Sequence, residues 1–171
     1  MNAKTHWTAA KLDCAPTDGN IRDQTSCFVR RAAPALSAGL LMSFSSSFGQ
    51  TFFLSLFGGV WREAFTLSHG GFGALYAGAT LTSAVFLLAV GKTVDQVPPS
   101  RIALILLLMC ALAALWLSSA TSILALGVGL FAMRALGQGL LSHLAMTTVA
   151  KWFDAARGRA LGIAMLGFPI G

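Results

Sequence analysis

One charged side chain interrupts a long apolar stretch. Arg134 is the only Asp, Glu, Lys or Arg between Arg101 and Lys151. Gln138 and Ser142 follow it at i+4 and i+8, so on an α-helix the three share a face. A guanidinium roughly 18 Å along such a helix lies near the middle of a bilayer. A positive charge there costs about 3 kcal/mol, so it must face protein or water rather than lipid. An arginine, an amide and a hydroxyl in one stripe form the lining of an internal cavity, and Gly137 and Gly139 beside them let neighbouring backbones approach. Three roles are open for Arg134: holding a carboxylate or phosphate, tuning a proton-carrying partner, or pairing structurally with carbonyls or an acid elsewhere. His143, nine residues on and on the opposite face of the same helix, is expected to pack rather than to partner Arg134.

A second polar face lies nearer the N-terminus. Gly39, Ser43, Ser46, Ser47 and Gln50 recur at spacings of three and four. Small residues in that pattern admit a neighbouring helix; the other reading is a cavity lining, with Ser46 and Gln50 as its candidates. No other constellation carries chemistry. His69 is alone beside two glycines, and Cys14, Cys27 and Cys110 are widely spaced without a metal-binding or disulfide pattern. No nucleophile, base and orienting group occur together, so neither an enzyme nor a cofactor is expected.

The elements that position these residues follow from composition. Of the 171 residues 56% are hydrophobic and 11% charged, against about 25% charged in a soluble domain. The uncharged intervals Arg31–Arg62, Glu63–Lys92 and Arg101–Arg134 each exceed the roughly 20 residues that span a bilayer. The expected fold is therefore all-α: a polytopic transmembrane helix bundle with spans near 33–60, 71–90, 102–119 and 123–150, plus the start of a fifth at 160–171. That last piece is too short to cross alone, as though the chain stopped within a helix. Residues 1–32 are polar, lack a signal-peptide core and are expected to form a mostly disordered tail. Gly70, Ala74, Gly78 and Thr82 form a small-residue stripe suited to close packing on the second span. The third span has no polar face.

The net charge of +6 does not indicate nucleic acid, because the basic residues flank apolar segments instead of forming one patch. Ten of them fall in the tail, the loop after span two and the loop after span four, against Arg62 alone on the other side. By the positive-inside rule the N-terminus is cytoplasmic, and so is the loop Gly91–Arg101. The expected setting is the inner or plasma membrane.

Three motifs in order resemble the Major Facilitator Superfamily. Gly91-Lys-Thr-Val-Asp95 is similar to that family's signature between helices two and three, although Gln96 and Pro98 depart from it and the basic residue arrives only at Arg101. Arg134-Ala-Leu-Gly-Gln-Gly139 resembles the helix-four motif. Trp152 to Gly162, including Arg157, Gly158 and Arg159, resembles the junction of helices four and five. The resemblance implies a partial N-terminal half of a twelve-helix fold, spans one and four lining a central cavity, and Asp95 as part of a cytoplasmic latch, with Arg157 and Arg159 its nearest candidate partners. It also implies a secondary transporter of a small, possibly anionic solute working by alternating access. The partners are then the bilayer, the solute, and the missing C-terminal helices or another membrane subunit. The alternatives are a truncated non-transporting remnant, or a small membrane adaptor that packs against partner helices.

Overall fold

The computed structural model describes residues 21–94, 98–153 and 157–171. Among them the chain forms helices and turns and no strand. The order is α1 (Ile21–Ser46), a 3-10 turn (Ser47–Gly49), α2 (Thr51–Leu56), α3 (Gly58–Ala64), α4 (His69–Val94), α5 (Pro99–Ser118), α6 (Ile123–Met133), a π-helical segment (Arg134–Leu141), α7 (Ser142–Trp152), α8 (Arg157–Met165) and α9 (Gly167–Ile170). Three helical stretches, His69–Gly91, Pro99–Ser118 and Ile123–Trp152, are long and apolar enough to cross a membrane. The bent pair Ala32–Leu56 and Gly58–Ala64 makes a fourth if it is one span. The protein is an all-α transmembrane bundle.

Two segments depart from the sequence expectation. The tail assigned to residues 1–32 is helical from Ile21 onward; residues 21–33 contain neither Gly nor Pro, so nothing in them interrupts a helix. The first span is not one continuous helix over 33–60. It breaks at Ser47–Gly49, where Gln50 takes an extended conformation (φ −75°, ψ 154°), and the piece beyond Leu56 bends away by 60°. Gly49 admits the neighbouring backbone at the first break, and Gly58 lies at the second.

Packing decides which faces turn inward. On α5 only a narrow stripe is buried, Leu106, Cys110, Ala113 and Leu117, while Leu104, Ile105, Leu108, Leu112 and Leu115 face outward. That matches a helix with no polar face. On α4 the small-residue stripe faces the other way from what its composition suggests. Gly70, Ala74, Gly78 and Thr82 are exposed, and a Cβ placed on Gly70 or Gly78 would meet nothing within 4 Å. The inward face carries Tyr76, Ala79, Ser83 and Leu87 instead. Tyr76 and Leu87 bring more apolar area to the contact with α6 and the π segment than a glycine stripe does.

A close approach of backbone to backbone joins the two irregular segments. A Cβ on Gly49 would lie 2.6 Å from the Gln138 amide nitrogen and 2.9 Å from the Gly137 Cα, and it would also meet the Met133 carbonyl oxygen. The 3-10 turn of the first span thus lies backbone to backbone on the π segment of the fourth. Irregular backbone at membrane depth is tolerated where protein covers it, and each segment covers the other. Buried apolar residues flank the crossing: Leu126, Leu130 and Met133 towards the α5–α6 turn, and Leu140, Leu144 and Ala145 towards the opposite end. Ala32, Leu36, Val149, Ala160 and Ala164 join α1, α7 and α8.

A chain of rings runs along the first two spans. Phe44, Phe48, Phe53, Phe57, Trp61, Phe72 and Tyr76 contact one another in that order, with successive centroids 5.2–6.3 Å apart.

Candidate functional site

Arg134 opens the π segment and is 7% exposed. Its Nη1 donates to the Thr51 hydroxyl at 2.9 Å. Thr51 is the first residue of α2, and the extended Gln50 before it lets the chain leave the 3-10 turn towards the fourth span. The Arg134 guanidinium carbon lies 5.2 Å from the centroid of the Tyr76 ring. A desolvated cation over an aromatic face gains about 2 kcal/mol. Side chains from three spans therefore meet at one buried charge.

The polar groups here are not fully used within the protein. Of five buried side-chain polar atoms without a partner among the described residues, three belong to this cluster or the next turn: Arg134 Nε, the Tyr76 hydroxyl and Gln138 Oε1. Nearly all buried polar atoms in proteins are paired, and each unpaired one costs about 1–3 kcal/mol. Arg134 and Tyr76, which lie against each other, thus each keep an unused hydrogen-bonding group.

The other candidates fall into separate places. Ser142 follows the π segment and turns back onto its own helix. Its hydroxyl donates to the Gln138 carbonyl and to the Gly139 carbonyl at 3.2 Å, satisfying acceptors where the helical ladder slips. Ser46 is fully buried and donates to the Ser43 carbonyl at 2.8 Å. Ser47 beside it donates to the Phe168 carbonyl at 3.3 Å, so this small-residue face of α1 receives α9. Gln50 lines an open depression of about 460 Å³ with Phe52, Phe168 and Pro169. The structure thus brings Arg134 together with Thr51 and Tyr76, and sets Gln50 beside Phe168 and Pro169 of α9.

In the loop motif Gly91 is buried and Arg101 exposed, while Asp95 lies outside the described residues. Arg157, Gly158 and Arg159 are exposed at the start of α8.

Thr51 and Tyr76 did not emerge from the spacing of polar residues. Tyr76 carries a signal all the same: it is the one tyrosine of the chain, placed inside an apolar span where its hydroxyl needs a partner. Thr51 has none, because its role depends on the break before it.

No curated protein and no solved structure matches the chain significantly. The sequence model described as Major Facilitator Superfamily matches residues 39–171, most of the chain and every span in it. With the transmembrane helices and the order of motifs in agreement, the chain belongs to the Major Facilitator Superfamily, a family of membrane transporters.

Proposed function

We propose that the protein is a secondary transporter that carries a small anionic solute across the cell membrane by alternating access, with Arg134 holding the anion. The observation that supports this reading is a buried guanidinium whose Nε is unpartnered, beside an unpartnered Tyr76 hydroxyl. Among the described residues the one acid within the span bounds is Glu63, exposed in the last turn of α3 at the end of the first span, and no acid is paired with Arg134, so an incoming anion supplies the opposite charge. In this reading the N-terminus is cytoplasmic, which the basic residues of the loops support. Within this reading Asp95 belongs to a cytoplasmic latch, in which Arg157 and Arg159 take part.

The test is uptake by vesicles containing the protein translated from its whole reading frame. Arg134→Ala abolishes saturable uptake, and Arg134→Lys retains the charge but loses the planar fork and most of the activity. Wild-type uptake in Arg134→Ala would reduce Arg134 to a packing residue.

A second reading is favoured by one observation. The small-residue stripe on α4 faces outward, as it would in an adaptor that packs against partner helices. Saturable solute uptake argues against it.

A further inference from the structure

The site just described has a geometry that limits what it can hold. We propose that Thr51 positions Arg134, and that Tyr76 both packs against it and donates to the ligand, so that one edge of the guanidinium is presented to a planar, singly charged oxyanion, a carboxylate or nitrate. This rests on the reading of Arg134 as an anion holder and adds the class of anion and the residues that select it.

Arginine has several edges on which to meet an anion, and here the protein occupies two of its surfaces. Nη1 is the terminal nitrogen on the Cδ side, and Thr51 engages it at 2.9 Å. The guanidinium carbon lies over the Tyr76 ring, 5.2 Å from its centroid, so the ring closes one side of the group. The edge opposite Nη1, which carries Nε–H, makes no hydrogen bond through Nε within the protein. Nε–H with its neighbouring terminal N–H gives two parallel donors, the geometry that matches two oxygens of a planar oxyanion. The Tyr76 hydroxyl, also unpartnered, is a further donor.

Charge sets the valence. Away from the ends of the spans Arg134 is the one charged side chain among the described residues. One monoanion neutralises it; a dianion leaves a net negative charge in a low-dielectric site, which is strongly unfavourable. Nε is enclosed in this arrangement, so binding requires the packing around Arg134 to open.

The experiment measures uptake and ligand-induced thermal stabilisation of the purified whole-frame protein with butyrate, benzoate and nitrate as monoanions, and succinate and sulfate as doubly charged controls. Wild type is stabilised by one or more monoanions and not by the controls; nitrate against the two carboxylates separates the inorganic from the organic source. Thr51→Val and Tyr76→Phe weaken the effective monoanion by roughly tenfold with maximal uptake preserved. Tyr76→Leu weakens it roughly thirtyfold, and Phe at the same position restores part of that. Thr51→Val also narrows the preference for monoanions over succinate. A merely structural role lowers thermal stability without moving affinity or preference. If no anion acts on wild type and Arg134→Ala transports normally, the anion-holder reading itself fails. If anions act through Arg134 but Thr51→Val and Tyr76→Phe bind them as wild type does, or if succinate binds as well as butyrate, only the positioning and valence claim is overturned.

Discussion

Gly49→Ala tests the crossing of the 3-10 turn on the π segment. The added methyl would sit 2.6 Å from the Gln138 nitrogen and 2.9 Å from the Gly137 Cα. Ordinary contact distances are about 3.5–4.0 Å, so the first and fourth spans must separate by roughly 1 Å. The obstructing atoms are all backbone, held in the helix, and no rotamer change removes them. Overpacking of this kind costs about 1–3 kcal/mol; a loss of 2 kcal/mol lowers the folded-to-unfolded ratio by about thirtyfold. The assay is unfolding of the detergent-solubilised protein by SDS titration, with Gly59→Ala as control. Gly59 lies in α3, where an added Cβ meets nothing within 4 Å. There alanine only improves helix propensity, by about 0.5–1 kcal/mol. The two substitutions, ten residues apart on one span, are thus expected to shift stability in opposite directions. Gly137→Ala, whose Cβ would lie 2.9 Å from the Gly49 Cα, opens the same interface, so its effect and that of Gly49→Ala do not add. Equal stability of Gly49→Ala and Gly59→Ala would refute the close crossing.

Two further outcomes concern the turns. Thr66 adopts φ 51° between α3 and α4, a left-handed conformation that β-branched residues resist; Thr66→Gly raises stability by about 1 kcal/mol, read as a higher thermal midpoint. Ser122 caps α6 by accepting from the Ala125 N–H at 3.2 Å; Ser122→Ala costs about 1 kcal/mol, while Ser122→Asp retains the cap and wild-type unfolding.

The spans and the intramembrane arginine are legible in the sequence because both follow from one-dimensional facts: long uncharged runs, and a charge placed far from either end of one. The breaks are less legible. Gly49-Gln50 and Gly58-Gly59 permit them, yet the chain breaks where it does because Gly137 on another span approaches. The π segment depends on a slip in hydrogen bonding over Arg134–Leu141 that no residue type specifies, although Gly137 and Gly139 lower its cost. The outward turn of Gly70, Ala74 and Gly78 shows the same limit. A small-residue stripe says that a close approach is permitted, and the bulk of Tyr76 and Leu87 decides which side of α4 is used inside the bundle. Ser46 and Gln50 share a helical face with Ser43 only while the helix is continuous; the break after Ser46 sends Gln50 into an extended conformation and sets Thr51 against Arg134 instead.

The ring chain from Phe44 to Tyr76 has an optical consequence. Trp61 lies in it between Phe57 and Phe72, at the bend of the first span, and Tyr76 at its end lies against the guanidinium. The other two described indoles are placed differently: Trp116 is exposed and donates to the Ala125 carbonyl, and Trp152 ends α7. With those two and Trp7 replaced by phenylalanine, the emission of Trp61 becomes an intrinsic signal for the arginine site. Any displacement of Tyr76 changes the packing of Phe72 against the indole, so ligand arrival is visible without an attached dye.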